Sequence, residues 1–407
     1  IRLNMTSNIE YLKVPYGLTV HGEEEIAAVV KVLRTSTQMG KNVRQFEQKV
    51  AALFDKKHGI MVNSGTSALF LAAEIIDLPA GSEVITPVLT FATTVSSLVK
   101  NNLTPVFVDV EEGTYLASLE KIKELIGPET KAICIPNLLG NIPAWDKISE
   151  VAREAELILI EDSADTLGGT INNVSSGAYS DISITSFYGS HIINCAGNGG
   201  MLCVNNEKYR EKALLLRSWG RTSSLYVDSE KAENRFNIEL DSIPYDAKFV
   251  FDSLGYNFEP SEMGAAFGLV QLEKLESNIG SRTKNYNELS SYFGKYEEWF
   301  VLPRQTDGVY TGWLAFALTI RPEAPFSRRD LQMYFETRGI QTRVIFTGNI
   351  LRQPGFRNIK HRVCSDGYPV ADNVMTGGML IACHHGMTLE MMDHIKNTFA
   401  NFARDYE

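Results

Sequence analysis

The sequence predicts an α/β protein: a large domain on a mainly parallel central sheet, followed by a smaller carboxy-terminal α/β domain. Three observations predict it. Short apolar runs of strand length alternate with helix-like stretches, most runs end in small or polar residues, and the alternation is interrupted by a polar stretch, Thr222 to Ile243, before a second set of elements begins. Short apolar strands separated by amphipathic helices are the pattern of a sheet covered on both faces.

Taken in order, apolar residues recur at helical spacing from Glu23 to Phe54, whereas Ile1 to Tyr16 shows no periodicity. Gly59-Ile60-Met61-Val62 reads as a strand that runs through Asn63-Ser64-Gly65-Thr66-Ser67-Ala68 into a helix over Leu69 to Ile76. The unit repeats with a strand at Glu83 to Thr86, a helix at Thr93 to Lys100 and strands at Thr104 to Asp109 and Lys131 to Pro136. Leu157 to Ile160 is a further strand that ends in Glu161-Asp162, and Asp181 to Ser186 and Met201 to Val204 flank a glycine-containing stretch. Thr222 to Ile243 is too long for a simple connection and reads as a functional loop or a dimer arm. A long helical pattern at Ser261 to Leu275 links to the second domain, where Leu314 to Ile320 and Thr342 to Phe346 look like strands. The expected division is residues 1–270 and 271–407.

A chain of 407 residues with 44% hydrophobic and 22% charged residues is long enough to bury a large core in about two domains. Its formal charge of -10 is the wrong sign for a nucleic-acid binder, and no Lys/Arg block offsets it. No apolar run approaches the length of a membrane span and no secretory signal pattern opens the sequence, which begins at Ile1, so no membrane partner and a cytoplasmic location are expected. Cys134, Cys195, Cys203, Cys364 and Cys383 are scattered and unpaired in spacing, which predicts reduced thiols and no metal site.

Ligands of open parallel sheets bind outside the carboxyl ends of the strands, so the polar residues just past each strand form one group. Ser64, Gly65, Thr66 and Ser67 open a helix, where backbone N–H groups, hydroxyls and the helix dipole favour a phosphate. Asp162 ends an apolar strand, and a carboxylate buried there calls for a cation such as a protonated ring nitrogen. Phe91, just past another strand, has a face that suits stacking on a flat heteroaromatic ring. Singly, each has a plainer use, as a helix cap or a core side chain. The segment Ser186-Phe187-Tyr188-Gly189-Ser190-His191 adds a hydroxyl and an imidazole at a fourth strand end.

With those motifs, Asn63 to Leu69, Glu161 to Asp165, Ser186 to His191 with Gly199-Gly200, and Leu254 to Glu262, the sequence resembles the DegT/DnrJ/EryC1/StrS sugar aminotransferase family over nearly its whole length. The resemblance implies fold type I of the pyridoxal phosphate (PLP) enzymes. It also implies that Asp162 pairs with the cofactor's ring nitrogen, Phe91 stacks on the ring, and Ser64, Gly65, Thr66, Ser67 and Ser186 surround its phosphate. Asp165 joins the cofactor-binding set, and Asn257 reaches the phosphate from the partner subunit, so that a homodimer shares its active sites. Trp219, Arg221 and Arg352 are candidate substrate contacts, with solvation as the plainer use of Arg352.

His191 stands where the family normally carries the lysine that tethers the cofactor, and no lysine occurs between Lys147 and Lys208. Histidine here, together with Asp165, resembles the family's dehydratase branch. Imidazole cannot hold PLP covalently but is a competent general base near neutral pH. The implied reaction is removal of the C3 hydroxyl from a nucleotide-linked 4-keto-6-deoxyhexose, GDP-4-keto-6-deoxymannose first, with pyridoxamine phosphate (PMP) as working cofactor, glutamate as amino donor and ammonia released. An iron-sulfur-assisted route on a CDP-linked sugar requires suitably spaced cysteine ligands, and no Cys-x-Cys motif follows Trp219, where Gly220-Arg221-Thr222-Ser223-Ser224 stands. Two other readings remain open at this level: an aminotransferase that tolerates histidine, and a catalytically silent sensor on the same fold.

Overall fold

The computed structural model describes residues 11–226 and 229–406. Its centre is a seven-stranded sheet whose order, edge to edge, is His58–Val62, Gly200–Val204, Ile182–Ser186, Ile158–Ser163, Thr130–Pro136, Glu83–Pro87 and Thr104–Val108. The last five of these run parallel to one another, while Gly200–Val204 is antiparallel to both of its neighbours. The expected strands are all present, within about two residues at their ends, which is the usual uncertainty of element boundaries.

Apolar side chains drive this arrangement from both faces. Ile60, Val62, Ile160, Ile182, Ile184 and Leu202 pack with the helix Gly65–Ile75 on one face, whereas Met61, Met201 and Cys203 pack against the Lys41–Leu53 helix on the other. Strand register then decides which residues share an edge. Pro136 pairs with Asp162, Ser163 with Thr185, and both Ser186 and Val62 with Gly200. The antiparallel strand therefore starts where its neighbours finish, which brings Asn198, Gly199 and Gly200 to the carboxyl edge of the sheet. Gly200 has to be glycine, because a Cβ there would lie 2.3 Å from the Ser64 carbonyl oxygen.

The helical periodicity from Glu23 to Phe54 resolves into two helices, Glu23–Leu33 and Lys41–Leu53. Buried Glu262 accepts hydrogen bonds from the backbone N–H groups of Gly40, Asn42 and Val43, which ties the start of the second helix to the last residue of the Leu254–Glu262 motif. The helix Glu262–Glu273 turns at Lys274 into Leu275–Phe293, so the chain changes direction slightly beyond residue 270. A four-stranded antiparallel sheet follows, in the order Phe300–Val301, Phe316–Ile320, Gly378–Ile381 and Arg343–Val344. Val14 bridges to Ile340 beside this second sheet, so the described part of the amino-terminal segment packs on residues far along the chain.

Among the described residues, the 222–243 stretch holds two short helical turns and the first strand of the hairpin Ile238–Leu240 with Ile243–Tyr245. Tyr226, Phe236, Ile243, Phe249 and Phe251 lie exposed along it and just after it, with Leu254 95% accessible. All five cysteines are buried free thiols. No described helix is long and apolar enough to cross a membrane.

Candidate active site

The carboxyl edge of the large sheet opens into a cavity of about 390 Å3 whose lining includes Ser64, Gly65, Thr66, Phe91, Asp162, Asp165, Ser186 and His191. Eight of the residues that the sequence singles out thus meet in one place. None of the residues lining the cavity is a lysine.

Each side chain is held there by local structure. Ser64 caps the helix Gly65–Ile75 by accepting the Ser67 N–H at 3.1 Å, which leaves the first N–H groups of that helix aimed at the cavity wall. Gly65 is required by crowding, since a Cβ there would approach the Ser186 Cβ to 2.6 Å. Phe91 caps the next helix, Ala92–Lys100, and stands edge-on to Phe346 at 6.0 Å, with half of its surface exposed to the cavity side.

Asp162 and Glu161 are neighbours on one strand and so point to opposite faces. Glu161 is fully buried among Asn137, Ser163 and Ser183, which hydrogen-bond to its carboxylate. Asp162 faces the cavity and accepts hydrogen bonds from Thr94 Oγ1 at 2.8 Å and the Ala164 N–H at 3.2 Å. Burial pushes its carboxyl up to about 6 against the lowering effect of those two donors. Asp165 accepts the Leu139 N–H at 2.9 Å, and burial lifts it to about 7. Two carboxyls that resist ionisation in one cavity suit a cationic partner, and the protonated nitrogen of a pyridine ring is one.

His191 is half-buried at the cavity wall, its ring edge-on to Tyr188 at 6.0 Å. Its Nδ1 lies 3.1 Å from the Ser186 main-chain oxygen. A carbonyl oxygen only accepts, so Nδ1 carries the hydrogen and Nε2 keeps a free lone pair. Burial depresses the imidazole to about 4, with the Ser186 carbonyl opposing and Arg282 assisting. The ring is therefore neutral and basic at Nε2 across the physiological range.

Five other candidates do not line this cavity within one protomer. The Ser67 hydroxyl turns back to donate to Asn63 Oδ1 at 2.6 Å, so its side chain braces the loop. Arg221 stacks over the Trp219 ring at 4.1 Å, and both sit at a turn where the chain crosses Ser253. Arg352 lies outside the cavity of its own protomer, exposed, with Asp372 taking its Nε and Nη2 hydrogens at 2.7 and 2.6 Å. Asn257 is exposed and meets the cavity loop only through its main-chain oxygen, which accepts Asn63 Nδ2 at 3.3 Å.

Sequence reasoning missed Tyr16, Thr94 and Phe346, which also line the cavity. Thr94 follows Phe91 by one turn of helix and shares its orientation, a spacing that could have marked it. Tyr16 and Phe346 arrive from distant parts of the chain, and no local pattern announces them.

A family model for the DegT/DnrJ/EryC1/StrS aminotransferases matches residues 19–400. The chain belongs to that family. A dTDP-4-dehydro-2,6-dideoxy-D-glucose 3-dehydratase of Saccharopolyspora spinosa is 34% identical over 96% of this chain and 86% of its own length. Among solved family structures, the Escherichia coli GDP-4-keto-6-deoxy-D-mannose 3-dehydratase with bound hydrated PLP is 28% identical, with a TM-score of 0.86 over 96% of this chain and all of that one. A GDP-4-keto-6-deoxymannose 3-dehydratase holding a trapped PLP-glutamate geminal diamine matches equally well, at 28% identity and a TM-score of 0.86 over 95% of this chain and all of that one. The mixed, mostly parallel central sheet and the second small sheet are those of fold type I of the PLP enzymes, the fold of this family.

Proposed function

We propose that the protein is a PMP/PLP-dependent 3-dehydratase of a nucleotide-linked 4-keto-deoxyhexose, working without an iron-sulfur cluster. The observation that carries this reading is His191: an imidazole with a free Nε2 stands in a cavity that has the acid, the aromatic face and the phosphate loop of a PLP site but no lysine. A tethering lysine is what an aminotransferase of this family uses, and the cavity's residues offer a base in its place.

When bound, PMP supplies a primary amine able to condense with the C4 ketone of the sugar and a ring that draws electrons toward its nitrogen. Asp162 holds the proton on that nitrogen through a charge-assisted hydrogen bond. Ser64, Ser186 and the first N–H groups of the helix Gly65–Ile75 take the phosphate. Phe91 fixes the plane of the ring. With the sugar joined to that amine, His191 Nε2 would accept a proton from the carbon beside it and return it to the C3 oxygen as that group leaves, so that water is the by-product. Water would then free the sugar, still bearing the nitrogen, from the cofactor; hydrolysis of that sugar imine would give the ketone and ammonia, with glutamate as donor of the next amine.

A homodimer with shared sites supports this chemistry. The exposed apolar residues that surround the 222–254 region, with Leu254 three residues before exposed Asn257, suit a face that a second copy covers. Asn257 then reaches the phosphate of the partner's cavity.

The test is to incubate the protein with PLP, glutamate and either GDP-4-keto-6-deoxymannose or the corresponding dTDP-linked 4-keto sugar, then to measure ammonia and the mass of the sugar. Loss of water from the sugar with one ammonia per turnover supports the proposal, and the nucleotide that turns over identifies the substrate. Formation of a 4-amino sugar, or no turnover with either nucleotide, rejects it.

A further inference from the structure

Arg282 is fully buried and, among the described residues, has no carboxylate in contact with it. It sits on the helix Leu275–Phe293, and its guanidinium is spent on main-chain oxygens. Nη2 donates to the carbonyls of Ser190 and His191, both at 3.2 Å. Nη1 donates to those of Trp313 and Leu314, both at 3.0 Å, and Leu314 itself lines the cavity. Nε donates to His385 Nδ1 at 3.2 Å, so His385 presents a neutral acceptor. One side chain thereby joins the loop that carries the imidazole to the second domain.

We propose that Arg282 is the positioning residue of the site: its fork of N–H groups locks the backbone at Ser190–His191 and so holds the His191 imidazole in place at the cavity wall. The loop needs such a lock. Between Ser186 and Gly200 the chain leaves one strand and returns antiparallel beside it, and the His191 side chain itself makes a single hydrogen bond, to Ser186. Four carbonyl dipoles converging on one guanidinium stabilise the buried cation and fix its fork in one orientation.

The groups facing the imidazole come from several elements. Tyr188 meets it edge-on, while Tyr16, Asp162 and Asp165 share the cavity with it. Behind Arg282 lie neutral His385 and the buried Cys383 thiol, which donates to the Arg282 carbonyl at 3.5 Å. Burial holds Tyr16 well above the ordinary phenol range and raises the carboxyls of both Asp162 and Asp165. Burial, and after it the Arg282 charge, lower the affinity for a proton at His191, His384 and His385. An arginine is required for this lock, since a lysine has three donors on one nitrogen and cannot span four carbonyls.

The inference rests on the proposed function only for its rate readout, so the deciding measurement is made without turnover. Histidine is labelled with 15N in the full-length protein, the His191 signals are assigned by their loss in His191→Asn, and pH is varied for the wild type, Arg282→Lys and Arg282→Gln. The wild type is expected to keep a single Nδ1–H tautomer at His191 down to about pH 4. In R282Q, which loses the fork, the tautomer signal becomes mixed and kcat falls. In R282K the midpoint stays low while the tautomer signal becomes mixed, and kcat falls with little change in KM for the nucleotide sugar.

A wild-type tautomer and rate in R282K overturn the positioning role. If circular dichroism shows that R282Q does not fold, R282K decides alone through its tautomer. Absence of dehydration in the wild type rejects the proposed function and leaves the titration to judge Arg282.

Discussion

The Nδ1 hydrogen of His191 is committed to the Ser186 carbonyl oxygen, 3.1 Å away, and that single contact defines which nitrogen can do chemistry. Asparagine at 191 preserves a donor toward the carbonyl but has no basic nitrogen. His191→Asn is therefore expected to lower the dehydration rate by about 10²- to 10⁴-fold, the usual worth of a positioned base, while PLP binding is retained. His191→Lys should bond the cofactor covalently at Nζ, seen as a shifted cofactor absorbance, and should also abolish dehydration. Steady-state ammonia release and equilibrium PLP titration separate the two effects.

The depressed imidazole also sets a pH window. His191 at about 4 lies below the ordinary histidine value, so the folded state favours the neutral ring. Its contribution to stability is complete above about pH 6.5 and is lost as pH falls toward 4. His384, at about 4, and His385, at about 3, act in the same sense. Acid destabilisation between those limits should be shallower by one proton in His191→Asn, measured as the slope of unfolding free energy against pH. The acid limb of kcat/KM should likewise fall well below pH 6.

Much of this site was legible in the sequence for a physical reason. Strand ends in a parallel sheet leave small and polar residues at one edge, so Asn63 to Ser67, Asp162 and Ser186 could be gathered before any coordinates. The strands were legible because buried parallel strands are continuously apolar, as in Leu157 to Ile160. Tyr16 and Arg282 were not legible. Both act through contacts more than 80 residues away in sequence, Tyr16 with Gln341 and Arg282 with Ser190, and a buried arginine on a helix looks in sequence like any solvated one. Arg352 shows the converse, since its Asp372 partner lies 20 residues on with no repeat to announce it.

Asp162 has a carboxyl raised to about 6 by burial, so ionising it in the cofactor-free fold is costly. A carboxyl whose folded value exceeds its unfolded value near 4 is least destabilising below pH 4, and its penalty grows as pH rises through about 6. Cofactor-free Asp162→Asn should match the wild type at pH 4 and exceed its stability at pH 8, by up to about 3 kcal/mol for a shift of this size. Its affinity for PLP should fall by about one to two orders of magnitude through loss of a charged acceptor. Thermal melts at the two pH values with and without PLP check both signs.

Gly200 lies where the antiparallel strand starts beneath the phosphate loop. An added Cβ would meet the Ser64 oxygen at 2.3 Å and the Gly65 nitrogen at 2.6 Å, both rigid backbone atoms. Gly200→Ala should destabilise the fold by about 1–3 kcal/mol, as overpacking does. Because the displaced atoms open the phosphate-binding helix, PLP affinity should drop further than for a change of equal cost elsewhere in the core. Unfolding midpoints and fluorescence titration with PLP measure the two losses independently.

The proposed sharing of sites between two copies makes a prediction about mixed dimers. In that arrangement His191→Asn removes the base from its own cavity, whereas Asn257→Asp, in the exposed segment after Leu254, would place a negative charge near the partner's phosphate. Each homodimer should be nearly inactive. In a mixed dimer one cavity carries both defects, and the other pairs a native His191 with a native Asn257 from the opposite subunit. Random reassortment makes half the dimers mixed with one good site each, so activity should recover to about a quarter of the wild-type value. Sites built from one subunit leave His191 and Asn257 defects uncorrected by mixing, and activity measured after co-refolding the two variants would then stay at the level of the separate proteins.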